Sequence, residues 1–242
     1  MLAALLLVSL GIQDGAERGV PQMRPESPAG QFEKGFTPLF DGETLDGWNG
    51  REGLWSVEDG AIVGRTNDEK PLEANTFLVL EKPAENFDLR LKYKIESGNS
   101  GVQYRAEAFD EEAYRVRGPQ ADIDSSPQYT GIHYSEGARG IVAVRGQKVK
   151  VVPDGKKGKN ETVGSSGDAA ELQAKHIKSN DWNEYRIVAD GPTMRHYVNG
   201  QLMSEVTDER PDREKSGVIA LQLHRGPPMV VRFKDVRIKR LK

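Results

Sequence analysis

Gln120, Asp122 and Asp124 occupy alternate positions in Gly118-Pro-Gln-Ala-Asp-Ile-Asp-Ser-Ser-Pro127. Read as a strand, that spacing puts an amide and two carboxylates on one face, with Ala121 and Ile123 on the other. Such a face either meets bulk water or floors a polar site. Two further segments repeat the pattern. Gln103, Arg105 and Glu107 share one parity in Gly101-Val-Gln-Tyr-Arg-Ala-Glu107, and Gln222 and His224 share one in Ala220-Leu-Gln-Leu-His224. Gln and Asp are poor strand formers. Three strands that carry them in place of Thr, Lys and Arg read as a concave polar face that holds a ligand.

The carboxylates restrict the chemistry. A retaining glycosidase needs two carboxyl groups about 5–5.5 Å apart. Laminarinase-type sandwiches carry theirs on one strand as Glu-x-Asp-x-Glu, nucleophile first. Gln120 stands at that first position, and a neutral amide cannot form the glycosyl ester. Ordinary two-carboxylate glycoside hydrolysis is therefore disfavoured. The four histidines include no His-x-x-x-His pair. His176, after a short helix, and His196, in a hairpin, read as structural or exposed. His133 and His224 sit beside turn glycines at strand ends and are the candidate site histidines.

Other classes of chemistry have little support. The chain has no cysteine, which removes disulfides, thiolate catalysis and Cys-ligated zinc. Gly137-Ala-Arg-Gly140 lacks the spacing of a phosphate loop. A net charge of −3 over 242 residues gives no general attraction to nucleic acid or to an anionic membrane. Basic residues gather from Arg145 to Lys159, but Gly155 and Gly158 interrupt them, and the run reads as a solvated loop. No interleaving of basic and aromatic residues marks a single-stranded nucleic-acid site.

These groups must be held by strands. Phe87, Leu89, Leu91, Tyr93 and Ile95 alternate with Asp88, Arg90, Lys92, Lys94 and Glu96, a period of two over ten residues. One buried and one wet face imply an antiparallel sheet. Trp55–Val57 and Ala61–Val63 flank a Glu58-Asp59-Gly60 turn, and Met194–Val198 runs into Asn199-Gly200; both are hairpin signals. Further strands are expected at 76–80, 101–106, 114–116, 120–124, 140–144, 184–189, 218–224 and 229–239. Asp168 followed by Glu171 signals a short capped helix over Asp168–Lys175. Many short strands with one helix indicate an all-β fold, a β-sandwich or jelly roll built from antiparallel sheets.

The apolar run Leu2–Leu10 has the length of a signal-peptide core, far short of the ~20 residues that span a bilayer. Residues 13–30 are rich in Pro, Gly and Glu. The expected organisation is a signal and linker over residues 1–34, then one sandwich domain over 35–242. The protein is expected to be secreted or periplasmic, with no membrane insertion of the mature domain.

The ordered set of segments resembles the 3-keto-disaccharide hydrolase family, which has the concanavalin A-like jelly-roll fold. The segments are Gly35-Phe-Thr-Pro-Leu-Phe-Asp-Gly-Glu-Thr-Leu-Asp-Gly-Trp48, Trp55–Ile62, Ser97-Gly-Asn-Ser-Gly-Val-Gln-Tyr-Arg105, Gln120–Asp124, Asp181–Arg186, Val198-Asn-Gly200 and Gly217 to Lys239. The resemblance implies cleavage of glycosides already oxidised to a ketone at sugar C3, with a carbohydrate as the partner. A C3 ketone acidifies the C2 proton, so a base can remove it and the resulting enolate can expel the C1 substituent. Such a site needs a base, an enolate stabiliser and an acid. Parity and chemistry then give the catalytic roles to His224, as base or acid, and to Asp122, which orients it or binds a divalent metal ion. Gln103, Arg105, Gln120, Asp124, His133, Tyr134 and Gln222 are the expected substrate-binding residues. Asp122, Asp124 and His224 are the candidate metal ligands. A non-catalytic carbohydrate-binding module on the same sandwich is the alternative.

Overall fold

The computed structural model describes residues 32–69 and 71–242. The proposed signal segment and most of the linker lie outside the described residues. Strands form two sheets. One has seven strands in the order Gly140–Ala143, His133–Glu136, Arg115–Asp124, Asn99–Asp110, Gly217–Leu223, Thr76–Ala84 and Trp48–Asn49. The other has ten, running from Lys159–Ser165 at one edge through Asn183–Asp190, Phe87–Ser97 and Val230–Arg240 to Trp55–Glu58. Pairing is antiparallel except where Gln147–Val152 runs parallel to Gln201–Asp208.

The sheets face each other across a continuous apolar core. Phe87, Leu89, Leu91, Tyr93 and Ile95 are all buried there, as the alternation requires. From the seven-stranded sheet come Val102, Tyr104, Ala121, Ile123, Leu221 and Leu223. Both expected turns are present: Asp59 and Gly60 have φ of 50° and 73°, and Asn199 and Gly200 have 49° and 83°. Left-handed values at both central residues give the turn whose twist matches the flanking strands. The helix runs Ala169–His176, with Asp168 accepting from the backbone N–H groups of Ala170 and Glu171. Glu171 does not reach back to the cap; it pairs with Lys175 one turn on.

The basic segment departs from its expected form. Lys148 and Lys150 alternate with Val149 and Val151, and Gln147–Val152 is a strand with both valines buried. Arg145 is buried as well, donating to the carbonyls of Ala169, Thr130 and Pro127. These bonds tie the helix to the loop after the Gln120–Asp124 segment. No helix among the described residues is long and apolar enough to cross a membrane.

Candidate active site

The outer face of the seven-stranded sheet carries a cleft of about 540 Å³. Register explains its floor. Ile141 pairs with Tyr134, Tyr134 with Gln120, and Gln120 with Gln103. Paired residues share a face, so these four form one row across four strands. In the neighbouring row Asp122 faces Gly101, and Gln222 faces Phe77. Gln120, Asp122, Tyr134, Gln222 and His224 all line the cleft. Five of the expected site residues are thus brought together by three strands and the residue after one of them.

The amides are connected head to tail. Gln103 donates through Nε2 to Gln120 Oε1 at 2.8 Å. Gln120 Nε2 donates to Asp122 Oδ1 at 2.8 Å and to Gln222 Oε1 at 3.3 Å. Gln222 Nε2 lies 3.5 Å from Glu136 Oε2, a long contact. Glu136 Oε1 accepts from Asn75 Nδ2 at 3.0 Å. Both branches end on a carboxyl oxygen that accepts, one on Asp122 and one on Glu136. Gln103 is fully buried and lies beneath the floor.

Asp122 is 5% exposed. Burial disfavours its charged form, and the nearby Asp124 and Glu136 charges add to that. Hydrogen bonds from Gln120 and Asn99 oppose it but do not win, and the carboxyl is pushed up to about 8. At neutral pH it is mostly a carboxylic acid. Burial also raises the Tyr134 phenol, helped by the charges of Glu136 and Asp122, so it keeps its proton.

His224 ends the Gly217–Leu223 strand, its backbone N–H held by Met229 Sδ at 3.3 Å. Its Nδ1 lies 2.5 Å from the Arg225 carbonyl oxygen. A carbonyl only accepts, which places a proton on Nδ1 and makes Nε2 the nitrogen open to proton exchange. The Arg225 carbonyl, not Asp122, therefore orients this imidazole.

Three expected site residues lie elsewhere. Arg105 adopts φ of 49°, and pairing is irregular on both sides, between Gln103 and Glu107 and between Val218 and Ala220. The extra residue of this bulge reverses the parity beyond it. Ala106 takes the outer face, and the Arg105 guanidinium donates to Glu85 O, Gly191 O and Asn86 Oδ1 at 2.6–2.9 Å. His133 points into the core, on the face opposite Tyr134. Its ring stacks on His196 at 5.0 Å and 5°, and the Tyr104 hydroxyl lies 2.7 Å from His196 Nε2 and 3.4 Å from His133 Nδ1. Burial holds His133 well below the usual imidazole range and His196 down to about 3, so both are neutral. Asp124 closes the turn after its strand, accepting from the Ser126 N–H at 2.8 Å.

The candidate metal set does not assemble. Asp124 is committed to its turn, and among the described residues no group of three His, Asp or Glu side chains could hold a metal ion. Glu136, Asn75 and Asn99 were missing from the expected site. Alternation within His133-Tyr-Ser-Glu136 was the available signal for Glu136, because it shares a face with Tyr134.

Gly101 keeps the hub in place. A Cβ there would stand 2.5 Å from Gln120 Cδ and 2.6 Å from its Nε2, so Gln120 lies across the space a side chain would fill. Gly101→Ala is expected to displace Gln120 and to cost about 1–3 kcal/mol through overpacking. Catalytic efficiency should fall about tenfold as the Asp122 contact is lost. Thermal melts and steady-state kinetics on one preparation check both.

Residues 35–239 match the family described as the 3-keto-alpha-glucoside-1,2-lyase-like domain. A stretch of 81 residues is 32% identical to the 3-keto-disaccharide hydrolase of Bacteroides thetaiotaomicron, covering 30% of this chain and 28% of that protein. The match thus spans little more than a quarter of that relative's length. A candidate glycosyl hydrolase of Parabacteroides distasonis superposes with a TM-score of 0.57 at 21% identity, over 86% of this chain and 95% of that one. The carbohydrate-binding module CBM66 of Bacillus subtilis gives 0.51 at 14% identity, over 80% and 95%. A Bacillus subtilis protein with a galectin-like fold gives 0.53 at 9% identity, over 81% and 90%. At these identities the structural likenesses speak for the shared jelly-roll sandwich alone.

Proposed function

Since the chain belongs to the 3-keto-alpha-glucoside-1,2-lyase-like domain family, we propose that it cleaves glycosides whose sugar already carries a ketone at C3. Family membership makes it a carbohydrate-active enzyme; the oxidised substrate and the elimination chemistry are our reading. The observation that carries this reading is Asp122, a buried carboxyl that keeps its proton near neutrality and faces the same cleft as His224.

The roles follow from the protonation states. His224 Nε2, in the neutral ring, takes the C2 proton, which the C3 ketone acidifies. The C2–H electrons move into the C2–C3 bond and charge collects on the C3 oxygen. Asp122, with its proton on the oxygen that does not accept from Gln120, donates a hydrogen bond to that enolate oxygen. The enolate re-forms the ketone, C1=C2 forms and the C1–O bond breaks. His224 returns its proton to the departing alcohol oxygen, so protons and electrons balance. Water adding across C1=C2 would complete a net hydrolysis. No glycosyl ester forms, which fits an amide at position 120. Entry of the chain into an export route remains part of this proposal, carried by the Leu2–Leu10 run.

The test compares a 3-keto-disaccharide with its unoxidised parent, measuring the alcohol released. Release from the keto form alone is expected, and His224→Ala should lower turnover about a hundredfold while sugar binding survives. Release from the parent would overturn the reading and point to Asp122 and Glu136 as a conventional glycosidase pair. Binding of both without release would make the sandwich a binding module.

A further inference from the structure

We infer that the cleft is divided, with a polar floor for the oxidised sugar and an apolar wall that selects a flat, aromatic leaving group. This rests on the function proposed above and adds to it the class of aglycone. Among the described residues four large hydrophobic side chains are exposed, and two of them, Phe109 at 43% and Ile141 at 45%, line this cleft. Single exposed hydrophobics are ordinary. Two of them on separate hairpins, lining one polar-floored hollow, give it the apolar sides that ligand sites use.

The Phe109 ring is exposed yet held. The Arg115 and Arg117 guanidinium carbons lie 5.0 and 5.8 Å from its centroid, and Arg117 is itself gripped by Glu107 through bonds of 2.9–3.0 Å. The hairpin bearing the ring bends over the sheet. Phe77 N–H donates to Tyr114 O at 2.9 Å and the Thr76 hydroxyl to Ala113 O at 3.0 Å. Val116 and Phe77, each 1% exposed, back the cleft from the small apolar cluster on this face. Opposite, Ile141 stands beside Tyr134.

A second sugar ring would need partners for several hydroxyls. The floor amides and acids Gln120, Gln222, Glu136 and Asn75 are already bonded to one another. Around Phe109 the polar group of the wall is the Arg115 guanidinium, which lies over that ring; the rest is carbon surface, which stacks on a flat ring and offers a sugar few hydroxyl partners.

The experiment uses phenyl and methyl 3-keto-α-glucosides, with a 3-keto-disaccharide as the third substrate, and reads kcat/KM and equilibrium binding. The phenyl glycoside is expected to be favoured over both others by about tenfold or more. Phe109→Ala should remove most of that preference while leaving the methyl glycoside within about twofold, and Phe109→Trp should keep it. Equal handling of all three substrates, or a Phe109→Ala loss shared equally by them, would overturn the inference while the keto-glycoside reading stands. If none is cleaved, the function proposed above fails. The binding arm still decides the wall, since phenyl binding no tighter than methyl, or unmoved by Phe109→Ala, overturns it. Thermal melts confirm that Phe109→Ala remains folded.

Discussion

Asp122→Asn is expected to abolish nearly all turnover and, at the same time, to make the protein harder to unfold at pH 8. The two effects share one cause. The carboxyl titrates near 8 in the folded chain and near 3.9 when unfolded. Between those values the native state holds one proton more than the unfolded chain, so stability falls as pH rises, by about 1.4 kcal/mol per pH unit from this group. The loss begins as pH passes about 4 and is complete once pH has passed about 8. An asparagine fits the same space and does not titrate, so the gain of Asp122→Asn over the natural protein should grow across that window. Urea unfolding at pH 5 and pH 8 measures it; an equal difference at both would mean the site does not hold the proton. An amide still donates a hydrogen bond, but more weakly than a carboxylic acid. Weakening the donor to the enolate oxygen should lower turnover about a hundredfold. In the natural protein, turnover should decline above about pH 8 as the proton leaves.

Arg105→Ala gives the opposite pairing, a large structural effect with an unaltered site. The guanidinium spans from its strand to the 85–86 turn and to Gly191, and the residue is 2% exposed. Removing three hydrogen bonds from a charged, buried donor should cost about 3 kcal/mol, or a melting shift of roughly 6–12 °C for a chain of this size. KM for the keto-glycoside should stay within about twofold. Arg105→Lys should recover little, because an ammonium on a single stem cannot reach three acceptors set in a fork. A raised KM without loss of stability would return Arg105 to the substrate.

The same residue shows where sequence reasoning runs out. Alternation placed Gln103, Gln120, Asp122, Gln222 and His224 on one face because period two survives in those strands. At Arg105 one non-glycine residue in left-handed backbone shifts the count, and nothing in Gln-Tyr-Arg-Ala marks it. His133 was misassigned for a simpler reason. It and Tyr134 cannot share a face, and only the pairing of Tyr134 with Gln120 decides which one looks outward. In the Arg145–Lys159 run the Lys-Val-Lys-Val alternation at 148–151 marks the strand, and the two glycines that suggest a solvated loop sit beyond it. Long-range facts such as the Glu136 contacts, 61 and 86 residues away in the chain, have no local trace.

The backbone bond from Phe77 to Tyr114 anchors the far end of a hairpin whose two legs are already zipped into the sheet. Fastening at both hinge and tip opposes a swing of this flap away from the sheet. A ligand arriving at the cleft therefore meets that side already held in place by the Phe77 and Thr76 bonds to the hairpin tip.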